Sequence, residues 1–427
     1  MIKQIPRTER RDGTGMIGRI LRTESRRGAA PLAATACAVA MAWLLVVHPA
    51  DWLGHWGGLA VYLRVCMLVL CPLFLAAGAW QAGRDRRARM VELLGTVPRP
   101  GWHPMITGWA AVTLAGLAGL AAPLLVAAVL TARFATYAGP GWWWPMLVAP
   151  AGLGAASALG VLIGRRFPGR IIAPVAALAL YVGLAVPAYF SESRWAVLSP
   201  STDEFRAYVF WPGTFHAWQA AWFGLLAVTF LLLATRRWGT AVVPAALAGT
   251  LLVALPPDEP AEDPGALTLV CTERAPQVCV TRINEFLLDD VDAVLRPGLE
   301  RLAGIPGTPV RAVEDTARRR GEYRPDTAWF ALLDQATITG GLSHRDWLET
   351  TFRSSLGDSD CPPPPDSVGD PAVDPLWRTE LAAYLWMEGD PPPELTALPV
   401  DRQREWIGRV FAASRACDRA ELARLAP

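Results

Sequence analysis

The sequence predicts a polytopic α-helical membrane protein of about seven spans, N-terminus inside and C-terminus outside. It also predicts a mostly α, disulfide-bonded extracytoplasmic C-terminal domain. Three observations lead there. Of 427 residues, 52% are hydrophobic and 19% charged, whereas soluble domains carry about 25% charged residues. The apolar residues gather into seven runs ahead of Pro257. Finally, the net charge of +1 conceals a split: residues 1–256 hold 22 Lys+Arg and 9 Asp+Glu, net +13, and residues 257–427 hold the other 18 and 30, net −12. Three regions are therefore expected: a basic cytoplasmic tail at 1–30, a transmembrane domain at 31–256 and an acidic extracytoplasmic domain at 257–427.

A helix crosses about 30 Å of hydrocarbon with about 20 apolar residues. The candidate spans are Pro31–Val47, Leu59–Trp80, Met105–Thr131, Trp144–Gly164, Ile171–Phe190, Ala217–Ala234 and Thr240–Leu255, none of which contains an acid. The last is short and contains Pro244. About 27 polar residues precede the first run, and His48-Pro49-Ala50-Asp51 is a poor cleavage site, so an uncleaved anchor is expected rather than a signal peptide. Arg64, the one base inside a span, is expected to snorkel toward the outer surface, with lining of a substrate path as the alternative.

Orientation follows from arginine, because cytoplasmic loops retain positive charge. The N-terminal stretch and the loops after spans two, four and six hold 18 Lys+Arg; the alternate loops hold three, Arg133, Arg194 and Arg206. Tryptophan agrees: 14 of 19 precede Pro257, many at span ends, where amphipathic rings sit at headgroup depth.

Cysteine usage points the same way. Cys37, Cys66 and Cys71 fall in spans and act as small apolar residues. Cys271, Cys279, Cys361 and Cys417 all follow the last span, and four cysteines allow three pairings. The favoured ones are Cys271–Cys279, between two strand-like runs, and Cys361–Cys417, tying a proline-rich loop to the last helix.

Several chemistries have no basis in the sequence. No His-Glu-x-x-His pair or Gly-x-Ser-x-Gly elbow occurs. Lys3 is the sole lysine, so the phosphate-binding loop with its obligatory lysine is excluded from this chain. No enzyme activity, cofactor, metal or nucleic-acid partner is expected. Asp289, Asp290 and Asp292 read as a solvated helix face, with a cation site as the alternative.

Two basic segments stand out. Met16, Ile17, Ile20 and Leu21 recur at helical spacing opposite Arg19, Arg22 and Arg26, which predicts an amphipathic helix lying on membrane lipids. After span two, Arg84, Arg86, Arg87 and Arg89 lead into Met90, Glu92, Leu93 and Leu94, then a Pro98-Arg99-Pro100 stop. Positive-inside charge explains the arginines but not an apolar face followed by a rigid stop, which suits docking to a soluble partner.

This stretch, Arg86–Arg89 through Glu92-Leu93-Leu94-Gly95-Thr96-Val97-Pro98-Arg99, resembles permease subunits of actinobacterial type-2 ABC exporters. By layout the resemblance covers about the first 235 residues, including the longer outside loop Ser191–Phe215, but by motif only some 15. It implies an exporter permease driven by a separate ABC ATPase subunit docked at Arg84, Arg86, Arg87, Met90, Glu92, Leu93, Leu94, Pro98 and Arg99. It also implies a second permease copy or paralogue; Gly152, Gly154, Gly160 and Gly164 would allow close helix contact, between subunits or within one. The seventh span and the large tail depart from the family's six-span pattern. The alternative from another class is a non-transporting membrane sensor or assembly scaffold whose outside domain binds a ligand or partner.

In the outside domain, Leu267–Cys271 and Val278–Thr281 read as strands. Helices are expected at Ile283–Leu302, Thr327–Gln335, His344–Phe352, Pro375–Trp386 and Arg402–Ala416, which makes it mostly helical.

Overall fold

Each apolar run folds as a helix, since in a helix every interior backbone group is bonded within its own segment. In the computed structural model these are α1 (Ala30–Val47), α2 (Trp56–Arg87), α3 (Trp102–Phe134), α4 (Trp144–Arg166), α5 (Ile172–Phe190), α6 (Gly213–Ala234) and α7 (Trp238–Val253). The structure describes residues 29–87, 102–190, 198–201, 207–254, 260–318, 324, 326–332, 336–356 and 375–427. The expected helix at 16–27 lies outside them.

Five helices are long and apolar enough to cross a membrane: Ala30–Val47, Trp56–Arg84, Trp102–Phe134, Trp144–Arg166 and Gly213–Ala234. Ile172–Val186 and Trp238–Val253 are apolar but shorter. Large side chains stand on their outer faces: Leu32, Val39 and Trp43 on α1, Leu125 and Val129 on α3, Leu178 on α5, and Val242 and Val243 on α7 are each more than half exposed. So continuous an apolar surface is not compatible with water; these are the helices of a membrane protein.

The chain divides into two units. The first comprises Met1–Trp52, Trp56–Ala132 and Pro140–Glu262. Its centre is α2 and α4, whose apolar windows are 67% and 61% buried, against 22% for α1. α2 packs on α4 and α5, α4 on α6, and α6 on α7. α3 joins through Thr113 Oγ1, which donates to Ser157 Oγ at 3.1 Å, and Trp109 Nε1, which donates to the Gly154 carbonyl at 3.2 Å. The α2–α4 contact is backbone to backbone: a Cβ at Gly160 would collide with the Leu75 carbonyl, and one at Gly164 with that of Ala79. Gly152 faces Met67 and Pro200, and Gly154 faces Trp109. The glycine series is thus used within the subunit. A two-strand pair, β1 (Val209–Phe210) with β2 (Ala261–Glu262), ties the segment before α6 to the one after α7.

The second unit comprises Asp263–Pro427 together with two short segments from the membrane region, Leu53–His55 and Arg133–Gly139. Its sheet runs β3 (Leu269–Cys271), β4 (Gln277–Thr281), β5 (Arg311–Glu314), β6 (Thr327–Phe330). β3 and β4 are antiparallel; β4–β5 and β5–β6 are parallel. The β4–β5 crossover contains α8 (Leu288–Leu302), which buries Val291, Leu295, Leu299 and Leu302 on one face. α9 (Arg345–Leu356), α10 (Pro375–Glu388), α11 (Pro393–Thr396), α12 (Val400–Arg415) and α13 (Arg419–Arg424) complete it. Leu348, Phe352, Trp386, Ile407 and Phe411 share a core with Val278, Val280, Ala312, Ala328 and Phe330 of the sheet.

Two expectations are corrected here. Thr327–Gln335 does not begin as a helix: Thr327–Phe330 is a strand with all four residues buried. A strand covered on both faces shows no alternation, so its short apolar run reads like a buried helix turn. The helices accordingly share the unit with a four-strand mixed sheet, of which β5 and β6 were not anticipated.

Replacing Gly160 with Leu forces α2 and α4 apart. We expect a loss of about 1–3 kcal/mol, read as a lower melting temperature of the detergent-purified protein, while Gly183→Leu, with nothing near its Cβ position, leaves it unchanged.

Candidate functional site

Three places gather polar or charged side chains: the end of α2, the buried Arg64, and the part of the second unit built from the loop segments.

α2 does not stop at Trp80 but continues through Gly83-Arg84-Asp85-Arg86-Arg87. Arg87 folds back, its Nη2 donating to the Trp80 carbonyl at 2.6 Å and its guanidinium lying 4.5 Å from the Trp80 ring centroid. The arginine-rich segment therefore leaves the membrane region as an extension of a central helix. Of the expected docking residues, Arg84 and Arg87 lie in this last part of α2, and Arg86 is on its backbone. Met90, Glu92, Leu93, Leu94, Pro98 and Arg99 lie outside the described residues.

Arg64 does not snorkel. It is 5% exposed, with Nε donating to the Pro200 carbonyl at 3.2 Å and Nη2 to that of Ser199 at 3.4 Å. No carboxylate pairs with it among the described residues. Ser201 Oγ donates to the Val65 carbonyl at 3.5 Å, so α2 holds the 199–201 turn through both Arg64 and Val65. His216, at the start of α6, is 2% exposed. Charge at this depth is costly unless many dipoles face it, and two backbone carbonyls supply part of that field.

The third site lies wholly within the second unit. Glu314, at the end of β5, is fully buried. Its Oε2 accepts from the Thr281 backbone N–H at 2.7 Å and the Thr281 hydroxyl at 2.8 Å; its Oε1 accepts from Asn284 Nδ2 at 2.7 Å. That amide's other end, Oδ1, meets His55 Nε2 at 2.9 Å. A polar chain thus runs from the segment after α1 to the sheet. Phe286 is the apolar half of the joint: the His55 ring lies edge-on to it at 5.5 Å, and Phe134, at the end of α3, is 6.5 Å away. Gly54 is required there, since its φ of +78° disfavours any side chain and a Cβ would strike the Phe286 ring. The segment after α3 is held by Thr136 Oγ1, donating to the Arg282 carbonyl at 3.1 Å, and by Tyr137 OH, donating to Asp263 Oδ2 at 2.8 Å.

Comparison with known proteins identifies no relative. No protein-family profile, curated protein or solved structure matches the chain.

The disulfide Cys271–Cys279 is present, joining residues directly opposite across β3 and β4. Of the pair Cys361–Cys417, Cys361 lies outside the described residues. Cys37, Cys66 and Cys71 are free and buried. The aspartate group is not a uniformly solvated face. Asp292 is 8% exposed and paired with Arg296 at 2.5 Å and Arg274 at 3.3 Å, and Asp290 accepts the Leu342 N–H at 3.2 Å. Among the described residues no His, Cys, Asp and Glu group is arranged to hold a metal ion. Sequence reasoning missed Glu314 and His55; the only signal was a carboxylate inside an apolar strand pattern, Ala312-Val313-Glu314.

Burial pushes His55 below its ordinary value, against the opposing pull of its bonds to Asn284 and Ile283. Burial also pushes Glu314 upward, opposed by its hydrogen bonds. For His55 the unfolded state binds more protons, so its contribution is intact above about 6.5 and is lost as pH falls toward the folded value. Glu314 has the opposite sign: its cost develops as pH rises above 4.5. Comparing the wild type with His55→Gln isolates the first effect, because Gln keeps an N–H donor and does not titrate. The wild type should lose up to about 1.4 kcal/mol of stability per pH unit below about 6.5 relative to H55Q, measured by thermal unfolding.

Proposed function

We propose that this chain is the permease subunit of an ABC-type exporter. It crosses the cell membrane seven times with its C-terminal domain outside the cytoplasm, and ATP is hydrolysed by a separate ATPase subunit docked at Arg84–Pro100. The observation that carries the reading is that α2 runs on to Arg87, after which the sequence carries Leu93-Leu94 and Pro98-Arg99-Pro100. A conformational change in a soluble partner docked after Arg87 would reach the membrane core through α2. With Lys3 the sole lysine, the chain has no phosphate-binding loop of its own.

Contacts within each unit support the alternation that seven crossings require. The segments after α1 and α3 belong to the same unit as the C-terminal region, and β1 before α6 pairs with β2 after α7. On the other side, Gly83 at the end of α2 lies near Gly164 at the end of α4, and Arg237 after α6 lies over the Trp102 ring at the start of α3. The second group of segments is the arginine-rich one, which is the reason for placing it in the cytoplasm. The outside domain, which incorporates the segments after α1 and α3, would gate the substrate path or hand over cargo. A second permease copy completes the transporter, and lipid meets the outer faces of α1, α3, α5 and α7.

The composite second unit also suits a membrane sensor or scaffold, in which ligand binding outside moves α1 and α3. Bound ATPase separates the two readings. Affinity purification of the full chain from its native membrane should retain an ABC ATPase, and Leu93→Asp with Leu94→Asp should release it without loss of the folded permease. A purified chain that never carries an ATPase, or double variants that transport normally, would overturn the exporter reading.

Topology has a separate check. A cysteine introduced as Gly357→Cys should react with a membrane-impermeant maleimide added to intact cells; labelling only after lysis would place the C-terminal domain inside.

A further inference from the structure

The sheet of the second unit has two unlike faces, because alternate residues of a strand point oppositely. Val278, Val280, Ala312, Ala328 and Phe330 pack into the helical core. The other face carries a small apolar cluster of Cys279, Val313 and Trp329. Beside that cluster lies a cavity of about 250 Å³ lined by Leu269, Arg311, Val313, Arg324, Thr327 and Trp329. Arg318 adds a third cation, 5.4 Å from the Trp329 ring centroid.

Three arginines here run against the charge of their surroundings, since residues 257–427 hold 18 Lys+Arg and 30 Asp+Glu. Two of them have an acid beside them. Asp326 is 3.7 Å from Arg311 and 54% exposed, and Asp315 is 3.9 Å from Arg318 and 51% exposed. A pair this long with a half-exposed acid is worth about 0–1 kcal/mol, so an incoming acid displaces Asp326 from Arg311 at little cost. Arg311 is pre-aimed by its Nε bond to Thr327 Oγ1 at 2.9 Å. The Trp329 indole N–H, a donor only, is buried and finds no acceptor among the described residues. Donors of positive charge next to an apolar floor match one ligand chemistry.

We propose that this cavity binds an organic anion, with one acidic group held by Arg311 and Arg324 and a flat apolar body lying over Leu269, Val313 and the Trp329 ring. A guanidinium holds a carboxylate or sulfonate through paired N–H donors, and the apolar body supplies contact area that a bare inorganic anion lacks. The proposal is independent of the exporter reading and holds or fails without it.

The test uses the full chain in phosphatidylcholine nanodiscs, titrated calorimetrically with 2-naphthalenesulfonate, with empty nanodiscs as blank. One saturable site per chain is expected. Arg311→Gln and Arg324→Gln should each weaken binding about tenfold or more, the scale of a lost charge-assisted bond; Arg324 is exposed, so its variant keeps the fold. Arg402→Gln, an exposed arginine on α12, should bind like the wild type. The uncharged 2-naphthol and inorganic phosphate should each bind at least tenfold more weakly than the sulfonate. Absence of saturable binding, unchanged affinity in R311Q and R324Q, or phosphate binding as tightly as the sulfonate would overturn the proposal.

Discussion

Hydrocarbon offers no hydrogen-bond partner, and the first unit is organised around that lack. Its helices satisfy their own backbones, so α2 and α4 approach until glycine at 160 and 164 is the only residue that fits. Several polar side chains at depth turn to one another or to main chain: Thr113 to Ser157, Trp109 to Gly154, and Arg64 to Ser199 and Pro200. The Arg64 bonds do two things at once, since they discharge part of the burial cost of a cation and anchor a turn that precedes α6. A side chain that reached the surface would have left that turn unsupported.

The second unit answers a different demand. Its sheet is short and its core modest, and it contains a carboxylate with no exposure, Glu314. Three donors from Thr281 and Asn284 surround that carboxylate. Asn284 is the pivot because an amide presents a donor at one end and an acceptor at the other. It thereby joins a strand of the C-terminal fold to His55, a residue more than two hundred positions earlier in the chain. Phe286 makes the same connection through apolar contact, with His55 on one side and Phe134 on the other.

How much of this was legible in the sequence depends on the range of the interaction involved. All seven apolar helices were, because a long apolar run has one stable solution. Cys271–Cys279 was, because two strand-like runs flanked a short turn. Strand β6 was not, since Thr327-Ala328-Trp329-Phe330 is buried on both faces and its periodicity is silent. Arg64 was misread for another reason: its acceptors lie some 135 residues away, and nothing near it announced them. His55 and Glu314 were invisible as a pair for the same cause. The segment after α2 stands out in the sequence by its arginines and its Pro-Arg-Pro, but of its residues only those up to Arg87 belong to the described structure.

Segments Leu53–His55 and Arg133–Gly139 belong to the second unit although they are made long before it, and this orders the protein's assembly. The two loops emerge during synthesis with their eventual partners, Phe286 and Asn284, still unmade. The C-terminal fold cannot close around them until those partners have been made. A fragment that starts after α7 would expose the face of Phe286 that His55 and Phe134 cover, and would leave Asn284 Oδ1 without its His55 partner. The C-terminal domain is therefore not an appendage that can be moved between proteins as a cassette: its last packing layer is encoded in the membrane half of the gene.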